Sequence, residues 1–146
     1  MTLEILKTKE ELRNLIDAYA YLGDDWKIAN VMQLFVPEAT YTVFMNGVQI
    51  AQTTGTDNLE KEFSAHASAV KSYFTLNGQH TVEIDGEKAS GISYAQLKMV
   101  RETQDGLVLS DYSVRYEDNY VRRDGKWLIA ERIGHFLIVE SRKLQA

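Results

Sequence analysis

Three histidines, eight tyrosines and no cysteine set the chemistry open to this chain of 146 residues. A histidine titrates near neutral pH and can move a proton beside a carbonyl. A phenol can donate a hydrogen bond to a carbonyl oxygen and stabilise the enolate that forms there. His80 is the leading base. It follows Asn77-Gly78-Gln79 at the mouth of an alternating segment and shares a face with Val82 and Ile84. His66 falls on the apolar stripe of a helix, and His135 falls on the Ile133/Leu137 face of the last strand. Each reads as a cavity-lining or a hydrogen-bonded structural histidine. Asp24 is either a helix N-cap, a place Asp25 can also take, or a carboxylate that orients a basic histidine. The amides of Asn77 and Gln79 either hold a ligand or satisfy the edge of a turn. Asp111, in Ser110-Asp111-Tyr112, faces the cavity or solvent.

Those side chains need elements to carry them. Thr8 followed by Glu11 reads as a capping box. Leu12, Leu15, Ile16, Tyr19 and Leu22 then recur at helical spacing up to a stop at Gly23. On an ideal helix Tyr21 points away from that stripe, so either the helix end unwinds or Tyr19 is the inward ring. Ile28, Val31, Met32 and Phe35 form a second helical stripe with Pro37 past its end. Residues 39–44 alternate as a strand, Asn46-Gly47 turns, and residues 48–52 return. A third helix carries Leu59, Phe63, Ala67, Val70 and Phe74 on one face. From residue 77 onward, long alternating strands joined at Asp85-Gly86, Asp105-Gly106 and Asp124-Gly125 make an antiparallel meander. Tyr112, Val114, Tyr116 and Tyr120 share a strand face that reads as core or dimer surface ahead of ligand wall. The last strand is apolar on both faces: Trp127, Ile129, Ile133 and Leu137 on one, Leu128, Ala130, Phe136 and Ile138 on the other. That predicts helices over one face and a partner subunit over the other. Glu131 and Arg132 lie in that strand and need partners if buried, as an ion pair at a subunit interface or as an anion-holding arginine.

The pattern predicts a single α+β domain over residues 1–146. Its form is a cone-like curved antiparallel or mixed sheet wrapped around N-terminal helices and enclosing a pocket. The formal net charge of −5 repels phosphate backbones, so a nucleic-acid partner is not expected. With three histidines and no cysteine, neither is a transition-metal site. No run approaches the roughly 18 apolar residues that cross a bilayer, and the first residues lack a signal-peptide pattern, so a cytoplasmic protein is the default. There is no Gly-rich phosphate loop and no nucleophile elbow. Cofactor-free proton transfer fits this inventory.

Three stretches carry a family resemblance. Tyr21-Leu-Gly-Asp-Asp-Trp26, with Leu34-Phe-Val-Pro-Glu-Ala-Thr-Tyr41 after it, resembles the opening of SnoaL-like domains of the nuclear transport factor 2-like superfamily. Asn77-Gly-Gln79 with Val82 to Ala89 resembles the family's central hairpin. Tyr112 and Tyr120 to Arg132 resemble its closing hairpin. Relatives include polyketide cyclases, scytalone dehydratase, ketosteroid isomerase, hexachlorocyclohexane dehydrochlorinase and non-catalytic binders. The resemblance implies a cyclase, dehydratase or isomerase acting without a cofactor on a small hydrophobic oxygenated compound, or a binding or dimerising module of the same fold. It places Tyr21 and Tyr41 at the dehydratase's pocket tyrosines and Asp24 near the dehydrochlorinase's aspartate. Tyr41, Tyr21, Asp24 and His80 are then the catalytic candidates. Asn77, Asp111, His66, His135, Phe74 and Tyr19 are the substrate-binding ones. Two positions depart from the relatives. Leu22 follows Tyr21 where the dehydratase has an aspartate, and counting from Asp85-Gly86 puts the relatives' base nearer Phe74 than His80. A homodimer packed through the outer face of the sheet is also expected.

Overall fold

Four tight reversals organise the sheet of the computed structural model, which describes residues 2–145. The strands are β1 (Phe35–Met45), β2 (Val48–Thr54), β3 (Ser72–Asp85), β4 (Lys88–Thr103), β5 (Gly106–Arg123) and β6 (Lys126–Lys143). Asn46-Gly47 and Asp124-Gly125 both take positive φ at their two central residues, the turn geometry that matches strand twist. The strand order is β2-β1-β6-β5-β4-β3, with every neighbouring pair antiparallel except β1 and β6, which run parallel. The α+β class and the curved, unclosed sheet against N-terminal helices match the expected cone.

The helices are α1 (Leu3–Asp24), α2 (Ile28–Met32) and α3 (Thr56–Ser68). α1 starts earlier than the Thr8/Glu11 box: Thr2 caps it, its hydroxyl accepting the Ile5 N–H at 3.2 Å. It also runs past Gly23. Lys27 N–H donates to Leu22 O at 2.9 Å and Trp26 N–H to Gly23 O at 3.1 Å, a helix-ending pair that puts Trp26 at φ 57°. Asp24 therefore closes the first helix; Lys27 stands at the N-cap of α2, and Phe35 opens β1. Leu12, Ile16, Val31, Val36, Leu59 and Ile129 form the centre of the core, each almost fully buried.

Three of the sheet's bulges decide which face the side chains of β3 and β6 meet. In β6, Ala130 and Leu137 are extra residues: the register passes from Asn119↔Glu131 to Tyr120↔Ile129, and from Ser113↔Ile138 to Val114↔Phe136. Trp127, Ile129, Arg132, Gly134 and Phe136 thus turn toward the helices, and Glu131, Ile133, His135 and Ile138 turn outward. The plain alternation that grouped Trp127 and Ile129 with Ile133 fails at Ala130. In β3, the extra residue between Asn77 and His80 turns both of these inward.

Candidate active site

A cavity of about 350 Å³ lies between α1, α3 and the inner face of the sheet. Most of its wall is apolar, with polar groups gathered at two places. At the more open end stand Asp24, His66, Tyr73 and Thr75. Asp24 is fixed from both sides: the Thr75 N–H donates to one carboxylate oxygen at 2.6 Å and the Thr75 hydroxyl to the other at 2.7 Å. The His66 ring lies 6.2 Å from that of Tyr73, and burial, with Arg101 adding to it, lowers its pKa, so it is a neutral acceptor at pH 7. Burial first, and Asp24 second, push the Tyr73 phenol up to about 12, so it keeps its proton and can donate it. Trp26 ties the end together, its ring 5.7 Å from Tyr73 and its indole N–H reaching Ala67 O at 3.4 Å. Asn77 also lines the cavity. Its amide donates to Ile16 O at 3.2 Å and to an Asp17 carboxylate oxygen at 2.9 Å, which leaves its carbonyl oxygen for a ligand.

At the closed end Tyr19, Tyr41 and Tyr116 converge. The Tyr19 ring is 6.2 Å from that of Tyr116, and the Arg132 guanidinium lies 3.7 Å from the Tyr116 ring centre and 4.2 Å from that of Tyr19. Burial raises the pKa of all three phenols, so they remain hydrogen-bond donors. Arg132 and Asp118 form an ion pair at 3.0 Å with almost no exposed side chain on either. Burial disfavours the arginine's charge, and Asp118 with the nearby phenols more than restores it.

Among the described residues no cluster of histidines and carboxylates could hold a metal ion. The model of the SnoaL-like domain family matches residues 4–133. The chain belongs to the SnoaL-like family. Solved structures similar to this SnoaL-like chain include a candidate scytalone dehydratase from Novosphingobium aromaticivorans DSM 12444, at 17% identity over 100% of this chain and 95% of that one, TM-score 0.83. The hexachlorocyclohexane dehydrochlorinase LinA-type3 from Novosphingobium barchaimii LL02 gives 15% identity over 99% and 98%, TM-score 0.80. The beta subunit of a candidate aromatic-ring-hydroxylating dioxygenase from Novosphingobium aromaticivorans DSM 12444 gives 17% over 93% and 93%, TM-score 0.78. At these identities the likeness carries the architecture, that of the nuclear transport factor 2-like cone. No curated protein matches the sequence.

The remaining sequence candidates of this SnoaL-like chain lie away from the cavity. Tyr21 is 62% exposed, because it sits on the outer side of α1, and Tyr19 is the inward ring. Phe74, near which the resemblance put the relatives' base, is 58% exposed on the outer face; its neighbour Tyr73 is the inward residue. Asp111 points outward and pairs with Lys98 at 2.9 Å and Arg142 at 3.6 Å. His135 is outward too, stacked on Phe44 with ring centres 5.2 Å apart and lying 3.2 Å from Glu117.

His80 turns inward beneath α1, but not into the cavity. Tyr120 gives its single proton to Asp118 at 2.8 Å, so at 3.1 Å His80 Nε2 must be the donor to the Tyr120 oxygen. Burial, then Arg13 and Arg132, bring the His80 pKa from 6.5 to about 4. The folded chain keeps His80 neutral while the unfolded chain charges it. Its contribution is therefore complete above about pH 6.5 and is lost as pH falls toward 4. His80→Gln should flatten the acid side of the stability curve between pH 7 and 4.5, read as urea midpoints. Solvent screening holds the difference to about 1 kcal/mol.

Sequence reasoning left Tyr73 unassigned, favoured core for Tyr116, and passed over Asp118 and Gly134. Asp118 was findable: it continues the Tyr112-Val114-Tyr116 alternation as a carboxylate in a buried stripe. A Cβ on Gly134 would sit 3.3 Å from the Tyr41 hydroxyl, 3.3 Å from Tyr116 Cε1 and 3.2 Å from Phe136 Cε1. The missing side chain lets the tyrosines close on one another. Gly134→Val should overpack this end by about 1–3 kcal/mol, measured by thermal unfolding.

Proposed function

We propose that this SnoaL-like chain is a cofactor-independent acid–base enzyme of the lyase or isomerase type, acting on a small hydrophobic oxygenated compound. The observation that carries the reading is a largely apolar cavity with a neutral imidazole and a fixed carboxylate at one end and phenol donors at the other. In this reading His66 takes a proton from a carbon next to the substrate's carbonyl. The C–H electrons form the enolate, whose oxygen the Tyr41 and Tyr19 hydroxyls hold. Protonated His66 then returns the proton, to a new carbon for isomerisation or to a departing hydroxyl for elimination. Asp24 stands at the same end of the cavity, held by Thr75.

One observation favours the other reading, a ligand binder without chemistry. Both Asp24 oxygens are taken by Thr75, and Phe74, near which the resemblance put the relatives' base, faces outward. A ligand-detected NMR screen of neutral hydroxylated aromatic ketones, followed by turnover assays of the hits without added cofactor, separates the two. Hits turned over by the wild type support the enzyme, with Asp24→Asn expected to slow turnover at least tenfold. Hits that bind and are never altered support the binder.

We also propose a homodimer through the outer face. Phe74, Leu76, Ile92, Tyr94 and Ile138 are exposed there. Glu83, Glu117 and Glu131 lie toward the β3–β4 hairpin end of that face and Lys98 and Arg142 toward the opposite end. A two-fold axis lying in the interface plane and across the strands would set unlike ends together. Light scattering at micromolar concentration should give twice the chain mass, and Ile138→Lys the single mass; a wild-type monomer would count against the interface.

A further inference from the structure

The bulge in β3 carries a polar clamp that proton transfer at the open end does not use. The ladder from β3 to β4 breaks after Asn77, and α1 covers the break with Arg13 and Asp17. The Arg13 guanidinium donates through Nη1 to Gly78 O at 2.8 Å and through Nε to Asp17 Oδ2 at 3.0 Å. The other Asp17 oxygen accepts from the Asn77 amide nitrogen at 2.9 Å, and Ile16 O accepts from the same nitrogen at 3.2 Å. Both hydrogens of that amide are therefore spent on α1. Turning the amide over would set its Oδ1 against two oxygens that only accept, so its orientation is fixed. Asn77 lines the cavity, and Oδ1 is the polar atom it has left to present there. A phenol in the wall can turn its hydroxyl to donate or to accept; this oxygen only accepts. It is also a better acceptor than that of an isolated amide. Donation to a carboxylate draws electron density toward the carbonyl oxygen, the mutual strengthening of linked hydrogen bonds. Tyr73, Thr75 and Asn77 alternate on the inward face of β3, so Asn77 stands about 7 Å along the strand from Thr75, roughly the length of a benzene ring with its para substituents. Among the described residues of the wall the acidic and basic side chains charged at neutral pH are the carboxylates Asp24 and Glu62, which disfavours an anionic ligand.

We propose that Asn77 is a specificity-determining residue of the cavity: its Oδ1 takes a hydroxyl or amino donor of a neutral aromatic ligand, and Asp17 and Arg13 are the positioning residues that keep that oxygen turned inward. This rests on the reading of the cavity as a ligand site and is independent of turnover. It narrows the ligand class from oxygenated compounds in general to those with a hydrogen-bond donor a ring's length from the group held at the His66 end. An ether oxygen or a bare C–H at that place leaves the amide oxygen without a partner in a largely apolar wall, so such an analogue binds more weakly.

The test compares acetophenone with its 3-hydroxy, 4-hydroxy, 4-amino and 4-methoxy derivatives, with affinities read from NMR shifts of isotope-labelled protein. The better hydroxy isomer and the amino compound should bind wild type about tenfold more tightly than acetophenone, and the methoxy compound no more tightly than acetophenone. Asn77→Leu should erase the preference. Should Asn77→Leu fail to fold, Asn77→Ala, whose vacated space opens on the cavity, should erase it instead. Asp17→Asn, which keeps the shape and removes the charge, should reduce it. The carbon signal of the Asn77 side-chain carbonyl should move downfield with the better hydroxy isomer and not with acetophenone, a change that a merely structural asparagine would not show. Equal wild-type affinity for acetophenone and both hydroxy isomers, or a wild-type preference in the Asn77 variant, would overturn the role of Asn77 and leave the cavity a ligand site. If none of these compounds at millimolar concentration shifts signals of the cavity wall, the role of Asn77 is overturned together with the ligand-site reading. Turnover of a compound without a donor, unchanged in the Asn77 variant, keeps the enzyme and removes this role; a donor preference in a protein that turns nothing over does the reverse.

Discussion

Asp118→Leu is expected to destabilise the fold by about 3–5 kcal/mol, a large part of a small domain's stability. The reason is the guanidinium it leaves behind. Arg132 is almost fully buried, and its pairing with Asp118 at 3.0 Å is what offsets the desolvation of its charge. Arginine cannot shed its proton within any useful pH range, so the loss is permanent. The reciprocal change is milder. Burial already raises the Asp118 pKa, and with Arg132→Met the carboxyl can take up a proton and keep its hydrogen bond with Tyr120. The double variant Asp118→Leu/Arg132→Met should recover most of the stability lost by Asp118→Leu alone, because no buried charge remains. Urea midpoints of the wild type and the three variants test this, and an Asp118→Leu loss under about 1 kcal/mol would show the pair to be solvated.

The second large effect concerns the base. His66→Gln should lower turnover by about 10²–10⁴-fold on any substrate the wild type converts, the usual worth of a positioned proton acceptor. The imidazole must be neutral to accept, and burial together with Arg101 depresses its pKa below the ordinary 6.5. The acid limb of the kcat/KM profile should therefore fall at a pH lower than 6.5. A limb above 6.5, or a His66→Gln variant with unchanged kcat/KM, removes His66 from the base role. Stability should not change with it, because His66 stands near the open end and packs mainly against Tyr73.

The fold was largely legible because its signals are local. Asn-Gly and Asp-Gly turns, alternating strands and helical stripes each report on a few neighbouring residues, and together they specify helices against a meander. What was not legible is non-local. Nothing in β1 announces that it will run parallel beside β6, and nothing near Ala130 or Leu137 announces a bulge, which exists only relative to β5. Those two residues reverse the facing of everything between them. That is why Arg132 turns in and His135 turns out, against plain alternation. The bulge beyond Asn77 likewise sends Asn77 to the cavity and His80 beneath α1, although the two are close in sequence. Tyr19 and Tyr21 were a choice the helical stripe had already posed, and the continuation of α1 past Gly23 decides it. His66, Asn77, Tyr19 and Tyr41 are brought to the cavity with Asp24. The charged pair behind them depends on a cross-strand register no single segment carries.

The most direct test of acid–base work in this cavity is solvent deuterium exchange followed by NMR. A hydroxylated aromatic ketone that binds the protein is incubated in D2O with no cofactor, and label is read at the carbon next to the carbonyl. The wild type should incorporate deuterium far faster than buffer, and His66→Gln should fall back toward the buffer rate. Exchange at the buffer rate with wild-type protein, for ligands shown to occupy the cavity, would contradict the account.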